Sequence, residues 1–204
     1  MGFLKPHKPS DYPSTLLYIL DETHITVTLS TALAILWTRD AHVAWFALGA
    51  LNSSLSAKVL KELIRSPRPP PPDPSSKPSK VRPKRTYGMP STHSTALTFY
   101  FIYLLPFALS TSKLSATGRA TATAAGLGLP TPLSLVAASG LIAYWSAGLW
   151  SRKELGYHTW EQVFGGAAYG TILALGWKAA WKAYPAIGEG LQYLIDTVWR
   201  TVIG

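Results

Sequence analysis

Three short polar segments of the chain carry residue types that could bind and cleave a phosphate. They are KELIRSPRP at 61–69, GMPSTH at 88–93 and SRKELGYHTWEQ at 151–162. Cationic donors match phosphate oxygens, and an arginine can bind two of them at once. A neutral imidazole can attack phosphorus, and a protonated one can donate to a leaving group. The candidate residues are Lys61, Arg68, Ser91, Thr92, His93, Arg152 and His158.

Each segment taken alone also has an ordinary structural interpretation. Basic residues at 61–68 would complement the dipole at a helix C-terminus. Ser91 or Thr92 is a natural N-cap, although a capped N-terminus also presents N–H groups that suit an anion. His93 could be an interfacial polar residue, and Arg152 and His158 could be loop residues on either side of a turn at Gly156.

The first segment follows a long apolar stretch, and helix geometry relates its cations. If that helix continues through the segment, Lys61 and Arg68 lie two turns apart and point the same way. Arg65 then lies between them on a similar face, and Pro67 and Pro69 end the helix. In that case one helix would present these cations together.

The composition favours a membrane environment for the elements that carry these residues. The chain has 204 residues, of which 48% are hydrophobic and only 14% charged, with a formal net charge of +9. A basic surplus suits nucleic acid, an anionic membrane or a phosphorylated substrate, but so few charges with so many apolar residues favour the bilayer over nucleic acid. The absence of cysteine excludes disulfides and thiolate metal sites.

Five apolar segments predict an all-α, polytopic membrane helix bundle, with a soluble helical domain as the alternative. About 20 residues cross a bilayer core. The first segment needs STLLYILDET as an extension, which would bury Asp21 and Glu22 near an interface. We expect one domain over 1–204, with a proline-rich basic loop at 69–85 and an interfacial C-terminal helix. The spans are predicted at 24–38, 41–64, 92–110, 129–150 and 163–181.

The order of these spans places the three polar segments on one side of the membrane. The second span ends at the first segment, and the third span begins at the second segment. Two further crossings return the chain to the same side, where the fourth and fifth spans flank the third segment. The topology therefore predicts that the cations and both histidines meet.

In combination, the three segments resemble the signatures of the type 2 phosphatidic acid phosphatase superfamily, which includes the vanadium haloperoxidases. Lys61, six residues and then Arg68-Pro69 resembles the first signature. PSTH at 90–93 resembles the second, with Thr92 where glycine is common. Ser151-Arg152, five residues and then His158 resembles the third. Within the family, YGMPSTHS and YHTWEQVFGG are similar to the dolichyl diphosphatases.

The resemblance implies a phosphatase/haloperoxidase-like core and a role for each candidate. His158 would attack the phosphorus, and His93 would protonate the leaving group and then activate water. The family usually has an aspartate four residues after the third-signature histidine; here the position is Gln162, beside Glu161. Either side chain could support His158. Fixed cations imply that no metal or cofactor is needed. The phosphate would be held by Lys61, Arg68, Ser91, Thr92 and Arg152.

The resemblance also implies a substrate and a location. We expect hydrolysis of dolichyl diphosphate, a polyprenyl lipid, in the endoplasmic reticulum membrane, with the site facing the lumen and a role in dolichol recycling for N-glycosylation. A broader lipid phosphatase, acting on phosphatidate or a sphingoid phosphate, is the alternative enzyme. A non-catalytic lipid-phosphate-binding protein is the other alternative, although binding alone requires cations and not two imidazoles.

Overall fold

The computed structural model of the chain describes residues 8–70, 86–110 and 132–203, and over these residues the fold is entirely helical. The predicted class, an all-α membrane helix bundle, is confirmed. Most of the proline-rich loop, the polar connection after 110 and the start of the fourth predicted span lie outside the described residues. After a 3-10 turn at Pro9–Asp11, the helices are α1 Thr15–Asp21, α2 Thr23–Thr38, α3 Ala41–Ile64, α4 Thr92–Ser110, α5 Pro132–Glu154, α6 Trp160–Ala183 and α7 Pro185–Ile203.

Two of the described helices, α3 and α5, are long and apolar enough to cross a membrane on their own. The pair α1 and α2 forms a third candidate span, bent by 53° at the break between them. The other predicted spans correspond to α4 and α6, of 19 and 24 residues. Helix α4 lies at the centre of the bundle and packs against α3, α5 and α6.

The turn between the first two predicted spans falls where the sequence indicated. Arg39 ends α2 in the left-handed conformation with φ of 52°. The Asp40 carboxylate then caps α3 by accepting hydrogen bonds from the N–H groups of His42 and Val43, at 2.8 and 3.1 Å. A carboxylate at this position also complements the positive end of the helix dipole.

The other end of α3 falls at the predicted bound of the second span, residue 64, and the conditional continuation through Arg68 does not occur. The helix ends at Ile64, because Arg65 adopts the left-handed conformation with φ of 53°. Pro67 disfavours helical backbone at Ser66, so the chain leaves the helix before Arg68. Lys61 and Arg68 therefore do not share one helix face, and the exposed Arg65 donates from its Nε to the carbonyl of Glu62.

Small residues on α6 allow it to approach α4 closely. A Cβ atom on Gly166 would lie 2.6 Å from the carbonyl oxygen of Ser91, and one on Gly170 would overlap the carbonyl of Thr95. One turn further, Ala174 is fully buried. Glycine and alanine at this spacing let helix backbones pack tightly in membranes. This contact fixes the start of α4 beside the start of α6.

An aromatic cluster closes the end of the bundle opposite the polar segments. The rings of Trp45 and Trp177 stack at 4.3 Å, and each indole N–H donates to the other residue's carbonyl. His42 stacks on Trp181 at 4.7 Å. Helix α7 is amphipathic, as predicted for the C-terminus, and packs against α3 and α6.

Candidate active site

The three polar segments interlock at one end of the bundle, as the span order predicted. The N–H of Gly88 donates to the carbonyl of Ser66 at 2.8 Å, which joins the first and second segments. The N–H of Ser91 donates to the carbonyl of Gln162 at 3.1 Å, which joins the second and third. The Gln162 side-chain amide donates to the carbonyl of Pro67 at 2.7 Å. The loops therefore form one connected layer.

The imidazole of His158 is held between two partners in this layer and is only 4% exposed. Its Nδ1 lies 3.3 Å from Gln162 Oε1, and its Nε2 lies 3.4 Å from the Nη1 of Arg68. The carbonyl of Pro67 can only accept, so the Gln162 amide nitrogen must face it and Oε1 must face the histidine. His158 therefore carries its proton on Nδ1, and the unprotonated Nε2 presents its lone pair on the side of Arg68.

Gln162 is placed by the start of α6. Thr159 caps this helix, accepting from the N–H of Gln162 at 3.3 Å, while Gln162 Oε1 accepts from the N–H of Thr159 at 3.3 Å. This reciprocal pair is a capping box, for which T-x-x-Q is a sequence signal. The same oxygen reaches His158, whereas Glu161 is exposed. Of the two candidates for supporting the histidine, the geometry selects Gln162.

The surroundings keep His158 neutral. Burial is the main cause that lowers the pKa of His158, to about 3, and the nearby charges of Arg68 and Lys61 lower it further. The hydrogen bond to Gln162 acts in the opposite direction but is outweighed. A buried imidazole beside two cations loses more by becoming charged than it gains from one neutral acceptor.

Lys61 and Arg68 approach this layer from the first segment, although they are not on one helix face. The ammonium of Lys61, 6% exposed, donates to the carbonyl of Tyr87 at 3.2 Å. Arg68 donates to the carbonyls of Thr86 and Tyr157 at 2.6 and 2.7 Å. Backbone carbonyls from the other segments therefore orient both cations beside His158.

Arg152 has a different environment from the one expected for a phosphate ligand. Its guanidinium is 1% exposed and forms an ion pair with Asp21 at 2.7 Å. It also donates to the carbonyl of Leu20 and the hydroxyl of Ser151. Tyr12 and Tyr157 donate their hydroxyls to the same Asp21 carboxylate, at 2.6 and 3.2 Å. Sequence reasoning predicted the burial of Asp21 but missed its pairing with Arg152.

The start of α4 also differs in detail from the expected anion cradle. Ser91 caps the helix, with its Oγ accepting from the hydroxyl and N–H of Ser94 at 2.9 and 3.4 Å. Ser91 is fully buried, and its N–H, which was expected to be free for an anion, is used by Gln162. Thr92 and His93 are half-buried and line a groove that runs down between α2, α3 and α4.

Known proteins with similar sequences carry one name. Dolichyldiphosphatase 1 of Mus musculus is 30% identical over 168 residues, which cover 82% of this chain and 64% of the mouse protein. The protein of the same name from Homo sapiens is 29% identical over the same shares, and that of Dictyostelium discoideum is 29% identical over 75% of this chain and 58% of its own length. The chain thus spans less than two thirds of the length of these curated relatives.

A solved structure and a family model complete the comparison. The crystal structure of a transmembrane PAP2 type phosphatidylglycerolphosphate phosphatase from Bacillus subtilis has the same fold, with a TM-score of 0.56 at 17% identity, over 83% of this chain and 74% of that chain. Residues 42–185, which include all three polar segments, match the PAP2 superfamily model. The chain therefore belongs to the PAP2 superfamily.

Proposed function

We propose that this protein is a membrane lipid diphosphate phosphatase that converts dolichyl diphosphate into dolichyl phosphate and inorganic phosphate. The observation that carries the proposal is the state of His158. Its imidazole is neutral, its Nδ1 proton is held by Gln162, and its Nε2 lies beside Arg68. A nucleophile with a positioned acceptor behind it and a cation beside it suits phosphoryl transfer.

In the first step, Nε2 of His158 attacks the terminal phosphorus. A nitrogen–phosphorus bond forms, and the bond to the bridging oxygen breaks, with its electron pair leaving on the lipid phosphate. His93 donates a proton to that leaving group. The charges of Lys61 and Arg68 balance the phosphoryl oxygens, with the N–H of Thr92 as a further donor. Arg152 joins them only if phosphate displaces part of its contact with Asp21.

In the second step, water replaces the histidine. His93, now neutral, takes a proton from water while the water oxygen attacks phosphorus. The nitrogen–phosphorus bond breaks, its electron pair returns to Nε2, and inorganic phosphate leaves. Gln162 keeps the Nδ1 proton in place through both steps, so the ring does not change tautomer between them.

Phosphate release by the purified protein tests the proposal. Dolichyl diphosphate and phosphatidate would be compared for the parent protein, for His158→Gln and for His42→Gln. His42 is a suitable control because it is also a partly buried histidine, at the opposite end of the bundle. We expect His158→Gln to lose about 10³-fold or more of the activity and His42→Gln to retain it. Equal rates for the parent and His158→Gln would exclude the nucleophile.

The same assay separates the alternatives. Faster release from phosphatidate would favour a broader lipid phosphatase, and binding of lipid phosphate without release would favour a non-catalytic role. We also propose that the protein lies in the endoplasmic reticulum membrane with this end of the bundle in the lumen, where its product would re-enter the dolichol cycle for N-glycosylation. Protease protection of a tag placed in the 71–85 loop, in sealed microsomes, tests this orientation.

A further inference from the structure

A groove runs from the candidate active site down the inside of α2. It has a volume of about 830 Å³, within the range of ligand-binding pockets. Its upper end is polar and includes Glu22, Thr92 and His93, whereas its lower part is lined mainly by alanine and aliphatic side chains, with a few hydroxyls such as those of Thr28 and Ser54. Along α3 it extends from Ser54 to Ala47, which lie seven and fourteen residues before Lys61. At the rise of a helix, these positions lie roughly 10 and 20 Å deeper than Lys61.

Helix α2 stands away from the rest of the bundle, and this separation creates the groove. Thr23 is its only buried residue. Its outer leucines, such as Leu29 and Leu33, are more than half exposed. Three side-chain hydrogen bonds cross to the bundle: between the Thr26 and Tyr144 hydroxyls at 3.0 Å, between the Thr31 and Tyr100 hydroxyls at 2.9 Å, and from the Tyr100 hydroxyl to the carbonyl of Val27 at 3.5 Å.

A second, smaller cavity lies on the other side of the Tyr100–Thr31 hydrogen bond. It has a volume of about 250 Å³ and is lined by residues of α2, α4 and α5, including Trp145 and Leu141, and by Phe46 of α3. The side chains that line both spaces form a partition between them: Val27, Thr31, Leu97 and Tyr100. These four side chains separate the larger groove from the smaller cavity.

We propose that the groove between α2, α3 and α4 binds the hydrocarbon chain of the lipid substrate, and that the Tyr100–Thr31 partition restricts it to one chain. The inference rests on the proposed function and names the subsite that holds the apolar half of the substrate. Three features support a hydrocarbon occupant. The lower walls are mainly apolar, the Thr31 and Tyr100 hydroxyls of the partition bond to each other, and the groove reaches His93, the proposed donor to the leaving group.

The direction of approach also fits the proposed chemistry. Thr92 and His93 line the groove, whereas His158 is buried in the loop layer and does not line it. A lipid in the groove would present its leaving oxygen to His93 and its terminal phosphorus to His158. Displacement at phosphorus places the attacking and leaving atoms on opposite sides, so a chain on the His93 side is the productive arrangement.

Substitutions that fill the groove test the proposal. Ala47→Phe and Ser54→Phe place a ring in the groove, and Leu48→Phe and Leu55→Phe are matched controls on the exposed side of the same helix. Each variant would be assayed with dolichyl diphosphate and with a water-soluble five-carbon prenyl diphosphate. We expect the groove variants to raise KM for the long lipid about tenfold, with kcat/KM for the short substrate within about twofold. Equal effects of groove and control variants, or proportional losses on both substrates, would overturn the proposal.

The partition makes a separate prediction about specificity. Tyr100→Leu removes the hydrogen bond to Thr31 and joins the two cavities. We expect it to raise the ratio of kcat/KM for diacyl phosphatidate to that for dolichyl diphosphate about fivefold or more, since the second acyl chain gains space. An unchanged or lower ratio in a variant that elutes as a folded protein would refute the role of Tyr100.

A crosslinking experiment tests the groove assignment independently of the proposed reaction. A prenyl diphosphate with a diazirine in its third isoprene unit would be crosslinked to the protein, and the labelled peptides would be located by mass spectrometry. Labels on α2 and on the 47–54 part of α3, lost in Ala47→Phe, support the groove even if no phosphate is released. Labels confined to the outer faces of the bundle, or labels unchanged in Ala47→Phe, would overturn the groove assignment. Groove labelling without any phosphate release would overturn only the proposed hydrolysis.

Discussion

At the scale of single residues, the unusual feature is a neutral amide where the family usually has a carboxylate. Gln162 accepts from both Thr159 and His158 through one oxygen, and its amide nitrogen is fixed by Pro67. A carboxylate in this position would face the carbonyl of Pro67 without a proton to donate, so the amide suits the local hydrogen bonds. It fixes the tautomer of His158 but adds no negative charge, which is consistent with a histidine that stays neutral.

We predict that Gln162→Leu lowers kcat about 10²-fold or more with a much smaller change in KM, because the ring loses its orientation while the cations remain. The control is Glu161→Leu, which alters an exposed neighbour. Gly88→Ala is a second route to the same effect, since its Cβ would overlap the Gln162 amide. A loss confined to KM in Gln162→Leu would argue for a role in substrate binding instead.

The lowered pKa of His158 makes stability depend on pH. In the unfolded chain its pKa is near 6.5, and in the folded protein it is about 3. Between these values the unfolded chain binds a proton that the folded protein does not, so the free energy of unfolding decreases as pH falls through this window. The slope from this group is at most about 1.4 kcal/mol per pH unit.

The measurement is denaturant unfolding in detergent at pH 7, 5 and 4, for the parent protein and for His158→Gln. We expect the parent to lose more stability than the variant on acidification, since other titrating groups are common to both. Parallel curves for the two proteins would mean that the histidine is not held in its neutral form.

At the scale of helices, the Asp21–Arg152 pair connects α1 to the end of α5. Because both groups are buried, removing one partner leaves an unpaired buried charge, which typically costs 3–5 kcal/mol. We predict that Asp21→Ala destabilises the protein by about this amount, and that Asp21→Ala combined with Arg152→Met is less destabilising than Asp21→Ala alone. Unfolding in detergent measures both. A double variant that is less stable than Asp21→Ala would show that Arg152 stabilises the fold without needing Asp21.

The approach of α6 to α4 gives a prediction with a control on the same helix. Gly170→Ala places a methyl group against the backbone of Thr95, so we expect a loss of about 1–3 kcal/mol. Gly176→Ala meets no atom within 4 Å, and there the higher helix propensity of alanine predicts a small gain in stability of up to about 1 kcal/mol. Equal effects at the two positions would contradict the packing explanation.

Local sequence patterns predicted the helices more completely than the contacts between them. The bounds of α3 and α4 follow from apolar runs flanked by Asp40 and by Ser91. The turn at Arg39 follows from the two charged residues, Arg39 and Asp40, that separate the first two apolar runs. The partner of Arg152 lies 131 residues away, and no local pattern indicates such a contact. Whether the helix continued to Arg68 could not be decided from the sequence, because the left-handed conformation of Arg65 has no signal in its residue type and only the following prolines suggest it.

At the scale of the whole molecule, the bundle separates two environments. One end holds the interlocked polar loops with their cations, and the other is closed by the Trp45–Trp177 pair, with apolar helix faces between them. Such an arrangement lets a charged headgroup bind at the membrane surface while its chain remains among apolar side chains. The antiparallel order of α3 to α6 brings the three segments to one end without any of them being adjacent in sequence.

This concentration of fixed cations predicts how the reaction responds to chelation. Lys61 and Arg68 lie beside His158 and can balance the charge of the transferred phosphoryl group, which in other phosphoryl-transfer enzymes is the task of a divalent ion. We therefore expect phosphate release to continue in EDTA, with no stimulation by added magnesium, and to fall about 10²-fold or more in Arg68→Gln. Phosphate release in detergent with and without EDTA measures this. Activity that disappears on chelation and returns with magnesium would show that the cations alone are insufficient.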